Sequence, residues 1–184
     1  MLVALIRSMR PRQWPKNAFV FVALLFDRKV LDPSSVLATL GAFVLLCLMS
    51  SAVYLMNDLA DIESDRQHPV KKSRPLPSGQ LDPRVAAAVA VVLAAVSLIA
   101  GFLLAPQLGL ILLLYLLIQI AYTFRLKHVV LLDVLTIAAG FILRIAAGVA
   151  VIDVERFSPL LYVFGGFLAL FMALGKRRYE LVLL

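Results

Sequence analysis

Cysteine is nearly absent. Cys47 is the single one in 184 residues, so no intrachain disulfide can form. It lies in an apolar run, where a lone thiol packs as a small hydrophobe. Charge is scarce as well: 16% of residues are charged and 62% are hydrophobic. Soluble domains average about a quarter charged and about half apolar, which excludes an ordinary soluble fold. No soluble domain, low-complexity tract or short repeat interrupts the chain. A cleavable signal peptide is not expected, because Arg7, Arg10 and Arg12 stand where an apolar core should continue. Acidic residues are fewer than basic ones, 11 against 18, for a net charge of +7. Nucleic acid is not the expected partner of that excess, because membrane topology explains it.

What is present is apolar and long. Residues 36–56 and 85–105 each run 21 positions without a charge. A helix of that length spans about 31 Å, enough for a bilayer core. The chain therefore reads as an all-α, polytopic membrane helix bundle in a single domain, 1–184. About six transmembrane helices are expected, at 16–26 (extended toward 31), 36–56, 85–105, 108–124, 129–151 and 159–175. Ser34 or Ser35 is expected to cap the second, just after Pro33. Gly140, Gly148, Gly165 and Gly166 suit close helix approach in the last two. Six crossings put 14 of the 18 lysines and arginines on one side, which predicts a cytoplasmic face there.

The second segment runs helically into Asn57-Asp58-Leu59-Ala60-Asp61-Ile62-Glu63-Ser64-Asp65. At 100° per residue, Asp58, Asp61 and Asp65 fall within about 60° of arc. Carboxylates clustered at a membrane edge repel and are costly unless a cation shares them. Asn57 adds an amide oxygen one turn earlier. This oxygen set, with no thiolate and one nearby histidine, favours Mg²⁺, or Mn²⁺, over zinc. Mg²⁺ in turn takes further oxygens from phosphates.

Cationic clusters surround this motif on the same side. Arg66, His68, Lys71 and Arg74 follow it, and Arg66, Lys71 and Arg74 are the phosphate candidates. Lys72 is read as topology signal alone. Pro69, Pro75, Pro77 and Ser78-Gly79 predict an ordered, turning loop. Tyr122, Arg125 and Lys127 end the fourth segment; Lys176, Arg177 and Arg178 end the sixth. At the N-terminus Lys16 and Asn17 are expected to point inward, and Trp14 to anchor at the interface. Asp133 and Arg144 are charged residues inside the fifth segment, about 16 Å apart along its axis. Asp133 is assigned to the cavity; Arg144 is left open between that and holding backbone carbonyls.

Asn57-Asp58-x-x-Asp61-x-x-x-Asp65, followed by Arg74-Pro75-Leu76-Pro77-Ser78-Gly79, resembles the UbiA superfamily of intramembrane prenyltransferases. Arg10-Pro11-Arg12-Gln13-Trp14-x-Lys16-Asn17, His68-Pro69-x-Lys71-x-x-Arg74-Pro75, Arg125-Leu126-Lys127 and Leu174-Gly175-Lys176-Arg177-Arg178 are similar to its decaprenyl-phosphate phosphoribosyltransferase branch. The resemblance implies a UbiA-like bundle of nine helices, of which this chain would hold about two-thirds and be truncated at its C-terminus. It implies transfer of 5-phosphoribose from phosphoribosyl diphosphate to a polyprenyl phosphate, with diphosphate released. Asp58, Asp61 and Asp65 would act through Mg²⁺ at the cytoplasmic face of a bacterial plasma membrane, and the product would feed cell-wall arabinan synthesis. Homo-oligomers are left open. The sequence departs from many members at Lys176-Arg177-Arg178, where a second aspartate motif is common. That suits an anionic sugar phosphate better than a second metal cluster.

Two other readings remain open. One is transfer of a prenyl group from its diphosphate to an aromatic or other small acceptor. The other is transport of an anionic metabolite, although transporter charges sit near the midplane.

Overall fold

The computed structural model describes residues 1–125 and 130–152, and beyond them 163, 165–167, 171 and 175. Side chains of 130, 131, 133 and 134 lie outside that description, as do residues 126–129 and 176–184. The described residues form helices and turns, with no strand among them.

Helix α1 spans Leu2–Met9. A 3-10 stretch, Pro11–Val20, leads into α2, Phe21–Phe26, and a short 3-10 turn at Lys29–Leu31 follows. The sequence suggested a membrane helix starting at Lys16. Pro15, inside the stretch, explains the difference: it lacks an N–H and breaks α-helical bonding, so tighter turns form there.

Helix α3 runs Pro33–Ala60. Its cap is Asp32, not Ser34 or Ser35. The Asp32 carboxylate accepts the backbone N–H of Ser34 at 3.4 Å and of Ser35 at 3.1 Å. The serine hydroxyls donate to the same carboxylate. Pro33 occupies N1, which holds Asp32 extended, the backbone a cap requires. At 28 residues α3 is about 42 Å long, against a bilayer core of about 30 Å. It is thus longer than the hydrocarbon is thick, and its C-terminal turn carries the start of the acidic motif.

Helix α4 spans Ile62–Gln67, and a 3-10 turn at Lys71–Ser73 shapes the predicted ordered loop. Gly79 takes a φ of 78°, the left-handed backbone that glycine allows without penalty. Helices α5, Pro83–Leu104, and α6, Pro106–Phe124, form an antiparallel pair. Their reversal is one extended residue, Ala105, before Pro106. A side chain at Gly101 would meet Leu112, and one at Gly109 would collide with the Phe102 ring, so the pair packs backbone to backbone there. Helix α7 spans Val130–Ala150.

Helix α3 is the hub, packed against α1, α2, α5, α6, α7 and the N-terminal 3-10 stretch. The main core joins Leu46, Met49 and Val53 of α3 to Leu108 and Leu112 of α6 and Ala147 of α7. A second cluster binds the loop to the bundle through Leu76 and Leu81, against Leu55 of α3 and Ala86 of α5. Among the described residues three helices, α3, α5 and α6, are long and apolar enough to cross a membrane. The outer face of α5 exposes Val91, Val92, Ile99 and Leu103, as a lipid-facing surface would. At Gly148 any Cβ would collide with the Val20 carbonyl, so glycine lets α7 lie directly on the N-terminal stretch.

Candidate active site

The acidic motif sits at the C-terminal end of α3. Asp58 belongs to its last turn. Asp61 stands at the junction with α4, with φ −99° and ψ 7°. Hydrogen bonding passes through this joint: Asp61 N–H donates to the Asn57 carbonyl at 3.0 Å, and Asp65 N–H to the Asp61 carbonyl at 2.8 Å. The predicted helical course is thus kept, with a local bend. Asp58 and Asp65 are each only 2% exposed.

Three cations converge on these two carboxylates. Arg74 Nη1 stands 2.7 Å from Asp65 and 3.4 Å from Asp58, bridging both. Arg10 Nη2 reaches the same Asp58 oxygen at 2.5 Å. Lys71 Nζ lies 3.9 Å from Asp65. Arg10 also lies over the Tyr54 ring, 4.9 Å from its centre. Its backbone is left-handed, with φ 54°. That costs a non-glycine residue about 1–2 kcal/mol, so the charge contact is made at the expense of a strained turn.

The other sequence candidates fall elsewhere. Arg66 donates to Glu63 at 2.7 Å and to the Pro77 carbonyl at 3.4 Å, away from the buried carboxylates. His68 Nδ1 accepts the N–H groups of Val70 and Lys71, so it shapes the loop. Asn57 Oδ1 accepts the Thr123 hydroxyl, tying α3 to α6. Arg125 is exposed at the end of α6. Lys127, Lys176, Arg177, Arg178 and the Asp133 side chain lie outside the described residues. Trp14 donates its indole N–H to Ser51 at 3.1 Å and so is docked on α3.

Among the described residues no three Asp, Glu, His or Cys side chains stand at metal-ligand spacing. Asp58 and Asp65 nevertheless share one guanidinium nitrogen, so a single positive centre serves both. Their hard oxygens suit Mg²⁺, and the residues fit such an ion where Arg74 now bridges.

Beside the acidic end lies a cavity of about 480 Å³. The N-terminal segment contributes Arg10, Gln13 and Lys16; α3 contributes Tyr54 and Asn57. Helix α6 adds Tyr115, Gln119 and Tyr122, and α7 adds Thr136, Phe141 and Arg144. Among the described residues three cations line it and no carboxylate does. Lys16 and Tyr122 thus line the cavity. Asn17 points inward but lies behind the wall: it is 1% exposed and bonds Arg144, Cys47 and Ser50. Tyr54, Tyr115, Gln119 and Thr136 escaped the sequence reading. A signal existed: Tyr115, Gln119 and Tyr122 recur at i, i+4 and i+7 on an otherwise apolar helix.

Residues 17–178 match the UbiA prenyltransferase family. The chain is 39% identical to the decaprenyl-phosphate phosphoribosyltransferase of Mycobacterium tuberculosis, over 98% of this chain and 61% of that protein. It is 40% identical to the enzyme of the same name from Mycolicibacterium smegmatis, over 97% of this chain and 57% of that one. The chain thus spans about 60% of the length of these relatives. A UbiA homolog from Archaeoglobus fulgidus, solved bound to DMAPP and Mg²⁺, superposes with a TM-score of 0.74. That match covers 90% of this chain and 60% of the other, at 21% identity, and shows a shared fold. The chain belongs to the UbiA prenyltransferase family.

Proposed function

We propose that this protein transfers 5-phosphoribose from phosphoribosyl diphosphate to a polyprenyl phosphate of decaprenyl type. The carrying observation is the buried Asp58–Asp65 pair, ringed by Arg10, Lys71 and Arg74, at the mouth of a cation-lined cavity. The relatives named decaprenyl-phosphate phosphoribosyltransferase support this choice within the family.

In the proposed reaction an oxygen of the lipid phosphate attacks the anomeric carbon. The bond from that carbon to the diphosphate oxygen breaks, and diphosphate leaves with the electron pair. Asp58, Asp61 and Asp65 are the assigned holders of Mg²⁺ or Mn²⁺. When bound, the ion supplies charge neutralisation to the leaving diphosphate. Arg10, Lys71 and Arg74 hold diphosphate oxygens beside it as preorganised charge. Lys176, Arg177 and Arg178 are assigned further phosphate oxygens from their motif. The nucleophile is already an anion near neutral pH, so no strong general base is needed. Positioning and electrostatics carry the rate. The polyprenyl tail lies along the apolar helices, and the site faces the cytoplasm. The product feeds arabinan assembly.

Diphosphate release tests this reading. Proteoliposomes carrying the protein release diphosphate when Mg²⁺, phosphoribosyl diphosphate and polyprenyl phosphate are all supplied. Release from a prenyl diphosphate with an aromatic acceptor instead would favour the prenyl-transfer reading. Uptake of the anion into sealed vesicles without release would favour transport.

A further inference from the structure

Arg144 lies in the middle of the bundle, on α7, and is 7% exposed. Its Nε–H donates to Asn17 Oδ1 at 2.8 Å, Nη1 to the Gly140 carbonyl at 2.6 Å and Nη2 to the Tyr115 hydroxyl at 3.3 Å. All three acceptors are neutral. No carboxylate stands within ion-pair distance of Arg144 among the described residues. A buried cation held only by neutral oxygens is costly to keep. Among the described residues three bonds leave two of its five N–H groups to offer.

Arg144 borders the cavity. Among the described residues its wall carries Arg10, Lys16 and Arg144 and no acid, so positive charge faces an anion entering there. The rings of Tyr115 and Phe141 flank the guanidinium, 5.3 and 5.5 Å from its carbon, and limit water around it. Gln13, Gln119 and Thr136 add neutral hydrogen-bonding groups. The volume of about 480 Å³ suits a sugar phosphate or a lipid head group.

Asn17 fixes the guanidinium. It is 1% exposed, and its amide nitrogen is held by Cys47 Sγ at 3.2 Å and Ser50 Oγ at 3.3 Å. That anchors its oxygen toward Arg144 and sets the angle of the planar fork.

We infer that Arg144 is a phosphomonoester-binding residue in this cavity, separate from the Asp58–Asp65 diphosphate site, and that Asn17 is its positioning residue. The planar guanidinium matches phosphate oxygens in a way a lysine does not. The substrate class rests on the proposed reaction, which contains two phosphomonoesters: the 5-phosphate of the donor and the lipid phosphate of the acceptor. The chemistry is shared, and the probes separate the two sources.

The test is calorimetric titration of the protein in nanodiscs with ribose 5-phosphate, farnesyl phosphate, and inorganic diphosphate plus Mg²⁺. Arg144→Gln is expected to weaken one phosphomonoester about 10- to 100-fold, the range for a lost hydrogen bond to a charged group. Loss for ribose 5-phosphate assigns the donor; loss for farnesyl phosphate assigns the lipid. Binding of Mg²⁺–diphosphate should not change. Asn17→Ala should weaken the same phosphomonoester by a smaller factor and spare diphosphate. Where Arg144→Gln fails to fold, Arg144→Lys keeps the charge without the fork and should still bind the phosphomonoester less tightly. Unchanged phosphomonoester affinity in the folded Arg144 variants overturns the inference. So does equal weakening of all three probes, or a wild-type protein that binds neither phosphomonoester. Arg144-dependent binding without phosphoribosyl transfer would overturn the proposed reaction and leave this site standing. Transfer with Arg144-independent binding would overturn this site alone.

Discussion

Arg10 crosses 48 positions of chain to set its Nη2 2.5 Å from the Asp58 carboxylate. The contact fastens the N-terminal segment to the end of α3 and borders both the acidic pair and the cavity. Arg10→Ala leaves Asp58, 2% exposed, to Arg74 alone. The expected result is a loss of about 1–3 kcal/mol, the cost of removing a partner from a buried group, and a rise in KM for the diphosphate substrate. Denaturant unfolding and steady-state kinetics measure the two effects. Equal stability and kinetics in the variant would remove Arg10 from the site.

Asp58→Asn and Asp61→Asn should each lower metal-dependent turnover by about two to four powers of ten, by comparison with other lost electrostatic stabilisers. Asp65→Asn should fall in the same range, because Arg74 bridges it to Asp58. Titrating Mg²⁺ should show a right-shifted dependence in all three. Near wild-type turnover in both Asp58→Asn and Asp61→Asn would sink the metal assignment.

The acidic motif and its family were legible because carboxylates are rare and costly in so apolar a chain. The cavity was not. Tyr115, Gln119 and Thr136 are ordinary residues singly, and only packing α6 and α7 against α3 gathers them. Arg144 drew notice as a buried charge, but its destination depends on Asn17, 127 positions away. The same long-range contact took Asn17 off the cavity wall. Helix ends showed a subtler limit. Asp32, Ser34 and Ser35 are all good capping types, and which one caps depends on the backbone that Pro33 imposes.

Gly148→Ala should destabilise the protein by about 1–3 kcal/mol, as overpacking does, because its Cβ would collide with the Val20 carbonyl. Gly166→Ala is the control: among the described residues its Cβ would meet Ile142 Cδ1 alone, at an ordinary 3.5 Å. Thermal unfolding in one detergent compares them. Equal melting temperatures would contradict the close approach of α7 to the N-terminal stretch.

The cap on α3 carries a pH signature. Hydrogen bonds from the Ser35 and Ser34 hydroxyls, with the Ser35 backbone N–H, lower the Asp32 pKa from 3.8 to about 2. The folded pKa is the depressed one, so the cap's contribution is full above pH 3.8 and is lost as pH falls toward 2. The melting difference between wild type and Asp32→Ala should be constant from neutral pH down to about 5 and shrink below about 4. A difference that persists unchanged at pH 2 would contradict the charged cap.

Label transfer tests the proposed activity most directly. Membranes carrying the protein are incubated with Mg²⁺, polyprenyl phosphate and phosphoribosyl diphosphate labelled in the ribose carbons. The expected result is label in the lipid fraction, dependent on both substrates and abolished by chelation and by Asp58→Asn. An unlabelled lipid fraction, with a prenylated product from prenyl diphosphate and an aromatic acceptor in the same membranes, would contradict it.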